Sequence, residues 1–388
     1  MHDWMFDAFF WLVLPVALVE AARIAVRQRT RQGRSLIGAF AYGALDFVTL
    51  GVAAATGNPW LFIAAAVVRL AVVFEREREW WVRGGPKTAL IVAAVGLLIA
   101  VGGVGSFADL AAASAELDEV WRITVLALLS AACVVAIVPV RVSEEPKETL
   151  AAPLVIIAFA RIALPVGSAE PRFALVVPVI AAVIALVSAL WLLSAGRRAN
   201  HFEPETLVSE LLVCERGVML SFVWLGLASG DHLAGVGALL QWWSGVLALL
   251  ALEASLRRRP LAKPMAFFAL GMTICLPGTV GFVAEDLLAH GLLELRPLLA
   301  AAFVVVAALN AAALYLALVN TIVDTRQGEL AMRPQVEARP SLLMLGAAGL
   351  SLLIGLVPRP FVAEAAAAHD VIVAASTAPA TGPVSPAP

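Results

Sequence analysis

A few charged residues stand alone inside long apolar runs, and their types and isolation make them the candidates for chemistry. They are Asp46, Arg69, Arg161, Glu215, Arg216, Glu285 and Asp286. A charge at membrane depth is unfavourable unless it is paired or hydrated, so each of these residues is a functional candidate. His290 joins them because imidazole titrates near neutral pH. Of this set, Glu215, Glu285 and His290 are best suited to exchange protons.

The remaining charged residues leave alternatives open. Asp46 can pair with Arg69 on the neighbouring helix, or Arg69 can extend its guanidinium to the membrane surface along an apolar stem. Arg161 lies near the middle of its run, which favours a place in a polar interior. Glu215 and Arg216 are adjacent and therefore about 100° apart on a helix, so they point toward different neighbours.

The elements that must position these residues are membrane helices. The 388-residue chain is 61% hydrophobic and only 14% charged, with a mean hydropathy of +0.92, whereas soluble domains are about a quarter charged. Apolar runs of membrane-spanning length lie at 6–26, 36–56, 59–75, 88–106, 122–140, 149–167, 173–195, 206–229, 233–255, 265–290, 297–321 and 341–360. We therefore predict an all-α, polytopic transmembrane bundle of about twelve helices with at least one broken helix.

The distribution of basic residues predicts the orientation of these helices. Alternate loops hold 20 of the 27 lysines and arginines, and basic residues collect on the cytoplasmic side of short loops. We expect a multi-pass protein of the cell inner (cytoplasmic) membrane with both termini on the non-cytoplasmic side. The three lysines, Lys87, Lys147 and Lys263, all fall in predicted cytoplasmic loops.

Composition also excludes several classes of function. A net charge of −2 provides no basic surface for nucleic acid. The three cysteines lie in apolar runs, and no pair has the spacing of a metal site, so we expect no metal and no bound cofactor. Residues 1–362 form the predicted transmembrane domain. Residues 363–388 are rich in Ala, Pro, Ser and Thr and predict a low-complexity, disordered tail.

One run contains its own interruption, at Leu276-Pro277-Gly278-Thr279. Pro277 removes an intrahelical hydrogen bond and Gly278 adds backbone freedom, which together predict a discontinuous helix. Such breaks are tolerated where they are packed in protein or line a hydrated path. Glu285 follows the break by about two helical turns.

Residues 276–285 read Leu-Pro-Gly-Thr-Val-Gly-Phe-Val-Ala-Glu. This stretch resembles the broken helix of the antiporter-like proton-translocating membrane subunits of respiratory complex I and membrane-bound hydrogenases, in which Leu-Pro-Gly-x-x-Gly-Phe-x-x-Glu is characteristic. Gly355-Leu-Val-Pro-Arg-Pro-Phe361 is similar to the end of that family's last helix. Glu215 takes the acidic place of a segment that is similar to one in the hydrogenase branch. The resemblance extends over 36–362 and implies a shortened, divergent member.

The departures from the family concern its proton relay. Family members move protons along a mid-membrane chain that includes lysines, because a buried lysine can accept and release a proton near neutral pH. The resemblance places Pro153, Ala248 and Val134 at the lysine positions and Ala66 at an early acidic position. Arg161 cannot substitute, since a guanidinium does not deprotonate in proteins.

The resemblance implies an integral membrane subunit of a complex I-like or hydrogenase-like energy-converting complex. Its partners would be other membrane and peripheral subunits and the lipid bilayer. Two versions stay open: a partial proton path through Glu215, Glu285 and His290, or a scaffold without transport, which the missing lysines favour. The alternative class is a secondary transporter for a small ion, such as inorganic carbon or a monovalent cation, bound at the helix break. Any oxidoreductase activity would belong to the assembled complex, since this chain has no redox motif.

Overall fold

The computed structural model describes residues 4–32, 35–74, 80–138, 152–197, 204–256, 263–323 and 342–377. Within these ranges the regular elements are helices, and one isolated β-bridge joins Trp4 to Thr56. The predicted all-α class is therefore confirmed. The described residues divide into two compact units, which are treated separately below.

Unit 1 is drawn from Met1–Ala136, Ala152–Val177 and Glu364–Pro388. Its helices are α1 (Ala8–Gln32), α2 (Leu36–Ala55), α3 (Pro59–Phe74), α4 (Trp80–Gly102), α5 (Leu110–Glu116), α6 (Glu119–Ile137), α7 (Pro153–Ala158) and α8 (Leu164–Gly167). Local chemistry sets their starts. At α3, for example, Asn58 Oδ1 accepts a hydrogen bond from the Trp60 backbone N–H at 2.9 Å, and Pro59 supplies a preset helical φ.

A π-helical segment, Phe159–Ala163, joins α7 to α8 and contains Arg161. Pro165 has no N–H to donate to the carbonyl four residues earlier, which is that of Arg161, so the regular hydrogen-bond ladder cannot continue there. The widened turn holds Arg161 in a fixed position inside unit 1.

Unit 2 is drawn from Ile137–Ala151 and Pro178–Ala363. Its helices are α9 (Phe173–Arg197), which enters the unit at Pro178, α10 (Pro204–Ala228), α11 (His232–Leu256), α12 (Lys263–Thr273), α13 (Val280–Leu295), α14 (Pro297–Val323), α15 (Leu342–Leu356) and the start of α16 (Arg359–Thr377).

Helices α10 and α11 form the centre of unit 2, with 94% and 89% of their membrane-length windows buried. Close packing against α13 depends on small residues. A Cβ on Gly237 of α11 would lie 2.6 Å from the backbone N of Leu288, which no real side chain tolerates. Small residues that let helix backbones approach are typical of membrane helix interfaces.

Within the described ranges, eight helices are long and apolar enough to span a membrane, and the pair α15 and α16 provides a ninth if it is one bent span. Shorter apolar helices cover Pro59–Ala71 and Pro153–Gly167. Each of the twelve predicted apolar runs coincides with a helix or an interrupted helix. Several predicted loop charges, including Lys147, Arg257–Arg259 and Arg326–Arg339, lie outside the described residues.

The disorder predicted for the C-terminal tail is wrong as far as Thr377. Helix α16 covers Arg359–Thr377, and Ala365, Ala368, His369 and Ile372 are buried. Alanine has the highest helix propensity, and the repeated Ala residues here are part of an apolar face. Residues 378–388 lie outside the described part of the chain, and the proposed domain boundary at 362 stays a prediction.

Candidate functional site

Unit 2 brings two of the predicted residues together, Glu215 on α10 and Glu285 on α13. Glu215 is 4% exposed, and Glu285 is half-buried. The two carboxyl groups are close enough to interact electrostatically. A pair of acids on neighbouring membrane helices is the most chemically distinctive feature of this unit.

Neutral polar side chains surround the two acids. Asn310 of α14 donates a hydrogen bond from Nδ2 to Glu215 Oε1 at 3.3 Å. Cys275 lies close enough to Glu285 and to Gln241 of α11 to interact with both, and its thiol donates to the Thr273 carbonyl oxygen at 3.8 Å. Among the described residues, Glu215 Oε2, Asn310 Oδ1 and Gln241 Oε1 are buried with no hydrogen-bond partner. These oxygens leave the site with unused capacity to accept hydrogen bonds.

The predicted interruption lies beside this acid pair. Helix α12 ends at Thr273 and α13 begins at Val280, so Pro277 and Gly278 fall between them. Gly278 has φ +92° and Cys275 has φ +55°, a left-handed conformation that is strained for a residue with a Cβ. This irregular backbone places the Cys275 thiol near both the Thr273 carbonyl oxygen and Glu285.

Two glycines make room for the interruption. A Cβ on Gly281 would lie 2.6 Å from Cys275 Sγ and 2.7 Å from Ser244 Oγ. A Cβ on Gly355 of α15 would lie 2.6 Å from the carbonyl carbon of Gly278. The two motifs singled out in the sequence, Leu276–Thr279 and Gly355–Phe361, therefore meet in the fold.

Unit 1 contains the other predicted residues, and it pairs them. Asp46 of α2 and Arg69 of α3 form a salt bridge of 2.9 Å between Oδ1 and Nε. Asp46 is 0% and Arg69 7% exposed, so the pairing interpretation is confirmed and Arg69 does not extend to the surface.

Arg161 is held by Asp7, a residue that the sequence reasoning missed. The guanidinium donates to Asp7 Oδ2 at 2.6 Å and to Oδ1 at 2.7 Å, and Nη2 also donates to the Ala54 carbonyl at 3.2 Å. Its Cζ lies 4.9 Å from the centre of the Phe9 ring. Asp7 Oδ1 accepts from the Phe10 N–H at 3.0 Å as well, so it caps the start of α1. The position of Asp7 as an isolated acid at the start of the first apolar run was the available signal.

No protein-family model matches the chain, and no curated protein sequence does. Solved structures do match. The chain superposes on the Mrp complex from Dietzia sp. with a TM-score of 0.68 at 16% identity, covering 96% of this chain and 86% of the other. For respiratory complex I from Thermus thermophilus with bound NADH, the TM-score is 0.63 at 18% identity, with coverage of 96% and 85%.

An archaeal respiratory membrane complex, the membrane-bound sulfane sulfur reductase, gives a TM-score of 0.63 at 14% identity, with coverage of 95% and 83%. This chain has the antiporter-like fold. At these identities the likeness establishes the fold alone, and it agrees with the resemblance carried by the Leu-Pro-Gly-Thr stretch.

His290 is not part of the acid pair. It lies five residues after Glu285, about 140° further around α13. Its side chain is 65% exposed, and Nδ1 lies 2.8 Å from the Asp286 carbonyl oxygen and 3.3 Å from Asp286 Oδ1. His290 and Asp286 thus face away from the interior of unit 2.

Arg216 is buried at 5% exposure and follows Glu215 on α10. Consecutive residues are about 100° apart on a helix, so the two side chains leave α10 in different directions. The contacts recorded for the two acids are with each other and with neutral polar groups.

The prediction that Lys87 lies in a loop is wrong. Lys87 belongs to α4, is 8% exposed and falls within the membrane-length window Gly85–Gly102. The run Gly84-Gly85-Pro86 reads as a helix boundary, but α4 starts at Trp80 and continues through Pro86. Glu20 of α1, at 0% exposure, is another buried charged residue of unit 1. Lys263 starts α12, and Lys147 lies outside the described residues.

The residues around the Glu215–Glu285 pair that sequence reasoning missed are neutral. Gln241, Cys275 and Asn310 were passed over because only charged residues were sorted as membrane-depth candidates. An isolated amide within an apolar run is itself a signal, since a buried amide requires hydrogen-bond partners. A search for neutral polar residues in the predicted runs would have found Gln241 and Asn310.

Proposed function

We propose that this chain is an integral membrane subunit of an energy-converting complex and that Glu215 and Glu285 form a proton-exchange site within it. The observation that carries the proposal is that the carboxyl groups of Glu215 on α10 and Glu285 on α13 lie close enough to interact electrostatically, with Asn310 Nδ2 3.3 Å from Glu215 Oε1. Two ionised carboxylates repel each other strongly in surroundings of low dielectric constant, and uptake of one proton relieves the repulsion. Such a pair is suited to bind and release a single proton.

The surroundings of the pair support this role. Asn310 hydrogen-bonds to Glu215 and Cys275 lies close to Glu285, and neutral partners of this kind can accommodate both protonation states. The interruption between α12 and α13 supplies irregular backbone beside Glu285, and irregular backbone at membrane depth occurs where it is packed in protein or lines a hydrated cavity. A hydrated cavity would connect the pair to one side of the membrane.

The experiment is proton flux in proteoliposomes that contain the purified complex. Glu215→Gln and Glu285→Gln should each lower the flux at least tenfold, because glutamine keeps the shape of the side chain but cannot carry the proton. Glu210→Gln on α10 and Glu294→Gln on α13 are matched controls and should leave the flux unchanged. Unchanged flux in both site variants, with normal assembly of the complex, contradicts the proposal.

A scaffold role is the second candidate function. The observation in its favour is that, among the side chains described in unit 2, none is a lysine, whereas the family's relay uses buried lysines. In this case the complex would assemble only with this chain present, and the glutamine variants would not change the flux. Deletion of the gene followed by native gel analysis of the remaining subunits tests that role.

We also propose that both termini lie on the non-cytoplasmic side. Without Lys87, which lies in α4, 19 of the 27 basic residues fall in alternate predicted loops, and this concentration supports the orientation. Fusion of a periplasmically active reporter to each terminus should give signal, and the same reporter inserted between residues 257 and 262 should not. The partners of the chain in this proposal are other membrane and peripheral subunits.

A further inference from the structure

One face of α13 combines exposure with polarity. Phe282, Asp286, His290 and Leu293 repeat at intervals of three or four residues, so they lie on one side of the helix. The side chains of Asp286 and His290 are 57% and 65% exposed. Phe282 and Leu293 are 46% and 58% exposed. These four residues are called the α13 stripe below.

The α13 stripe lies at membrane depth. Helix α13 ends at Leu295, and Arg296 alone separates it from α14, whose membrane-length window starts at Pro297. This single-residue turn therefore marks the membrane surface. Asp286 precedes Leu295 by nine residues, which places it about 13 Å deeper along the helix, within the half-thickness of about 15 Å of a bilayer's hydrocarbon core.

Other exposed faces of unit 2 have a different composition. On α9 the exposed side chains include Val179, Val183, Leu186, Val187 and Leu190. On α14 they include Val304, Val305 and Tyr315. These faces are what a lipid environment requires, whereas an acid facing hydrocarbon is strongly unfavourable and such residues almost always face protein or water. The α13 stripe is therefore matched to protein and not to lipid.

We propose that the α13 stripe is the docking surface for a transmembrane helix of another subunit, which places a lysine or arginine opposite Asp286. The inference rests on the proposed role as a subunit of a larger complex. Charge complementarity identifies the partner: the stripe offers a carboxylate, and His290 Nδ1 faces that same carboxylate and the Asp286 carbonyl oxygen. Phe282 and Leu293 supply apolar contact on either side of the polar pair.

The test replaces the polar residues with residues that lipid prefers. In Asp286→Leu combined with His290→Leu, the partner subunit should be lost at least tenfold when the tagged complex is purified and its subunits are quantified. Val304→Leu on the lipid-like face of α14 is the control and should retain all subunits. If the stripe faced lipid, the double variant would keep its partners, and that result overturns the proposal.

A second measurement separates loss of docking from misfolding. The isolated double variant should melt at the same temperature as the isolated wild-type chain or higher, because leucine suits an exposed membrane face. If the double variant melts at a lower temperature, the single variant Asp286→Asn is used instead. The proposal then requires that Asp286→Asn melts at the normal temperature and loses the partner subunit. Retention of the partner subunit by Asp286→Asn overturns the proposal.

A photo-crosslinker at position 286 identifies the occupant. The supporting result is a single crosslinked peptide from a membrane helix of another subunit with a lysine or arginine within one turn. Crosslinking to a second copy of this chain, or to a helix without a basic residue, overturns the proposal. If the Asp286→Leu and His290→Leu double variant loses the partner while Glu215→Gln and Glu285→Gln leave the flux unchanged, the interface proposal stands. Only the proton-exchange role is then wrong.

Discussion

The acidic side chains of the two units contact different types of residue. In unit 1 an acid contacts a base: Asp46 meets Arg69 at 2.9 Å, and Asp7 meets Arg161 through two short contacts of 2.6 and 2.7 Å. In unit 2 the contacts recorded for Glu215 and Glu285 are with each other and with neutral polar side chains. Acidic side chains thus have two kinds of neighbour within one fold.

This difference indicates that burial alone does not identify a residue that carries protons. An acid paired with an arginine holds two helices together, since the guanidinium cannot give up its proton. An acid beside another acid gains from taking up a proton. The residue beside each buried carboxyl group therefore indicates whether that group is structural or a candidate for proton exchange.

The largest expected effect concerns the salt bridge between Asp46 and Arg69 in unit 1. Asp46→Leu should lower the free energy of unfolding by about 3–5 kcal/mol, because it leaves Arg69 buried without its partner. Asp46→Leu combined with Arg69→Leu should recover most of that loss, since no unpaired charge remains. Unfolding of the isolated chain in detergent, measured across this double-mutant cycle, checks the prediction. Additive losses would show that the two residues are not coupled.

A smaller effect tests whether the site of unit 2 depends on its irregular backbone. Gly355→Ala should destabilise the chain by about 1–3 kcal/mol, because the new Cβ would press on the backbone of Gly278. Gly349→Ala on the same helix is the control. No atom lies within 4 Å of the Cβ it would add, so it should be neutral or stabilising by up to about 1 kcal/mol. Equal effects of the two substitutions would show that α15 does not brace the interruption.

The smallest effect concerns the neutral groups around the acids. Asn310→Ala removes the hydrogen bond to Glu215 and should reduce proton flux about threefold to tenfold, a change of about 1 kcal/mol that is typical of one hydrogen bond. Asn320→Ala on the same helix is the matched control, since Asn320 donates instead to the Gly196 carbonyl at 3.0 Å. If both variants transport equally, Asn310 has no part in the exchange site.

Sequence reasoning predicted the helices well because each long apolar run has one stable solution in a membrane. Every backbone polar group must be satisfied within the helix, so length and hydropathy are sufficient. The interruption at Pro277 and Gly278 was predictable for the same reason. The helix over Arg359–Thr377 was missed because alanine-rich sequence fits both a helix and a low-complexity segment.

The partners of the charged residues were harder to predict. Asp7 and Arg161 are 154 positions apart, and no local pattern relates them. Lys87 was assigned to a loop because glycine and proline precede it, although its burial depends on the packing of α4. Cys275 belongs to the site only because its backbone adopts a positive φ, a feature that follows from the folded interruption.

The most direct test of the central claim is the proton flux of the complex with Glu215→Gln and Glu285→Gln combined, compared with each single substitution. If the two carboxyl groups act as one exchange site, the double variant should be no slower than the slower single variant, because residues that act as a unit lose their function once. Multiplying losses, with the double variant slower by the product of the two single effects, would contradict a shared site.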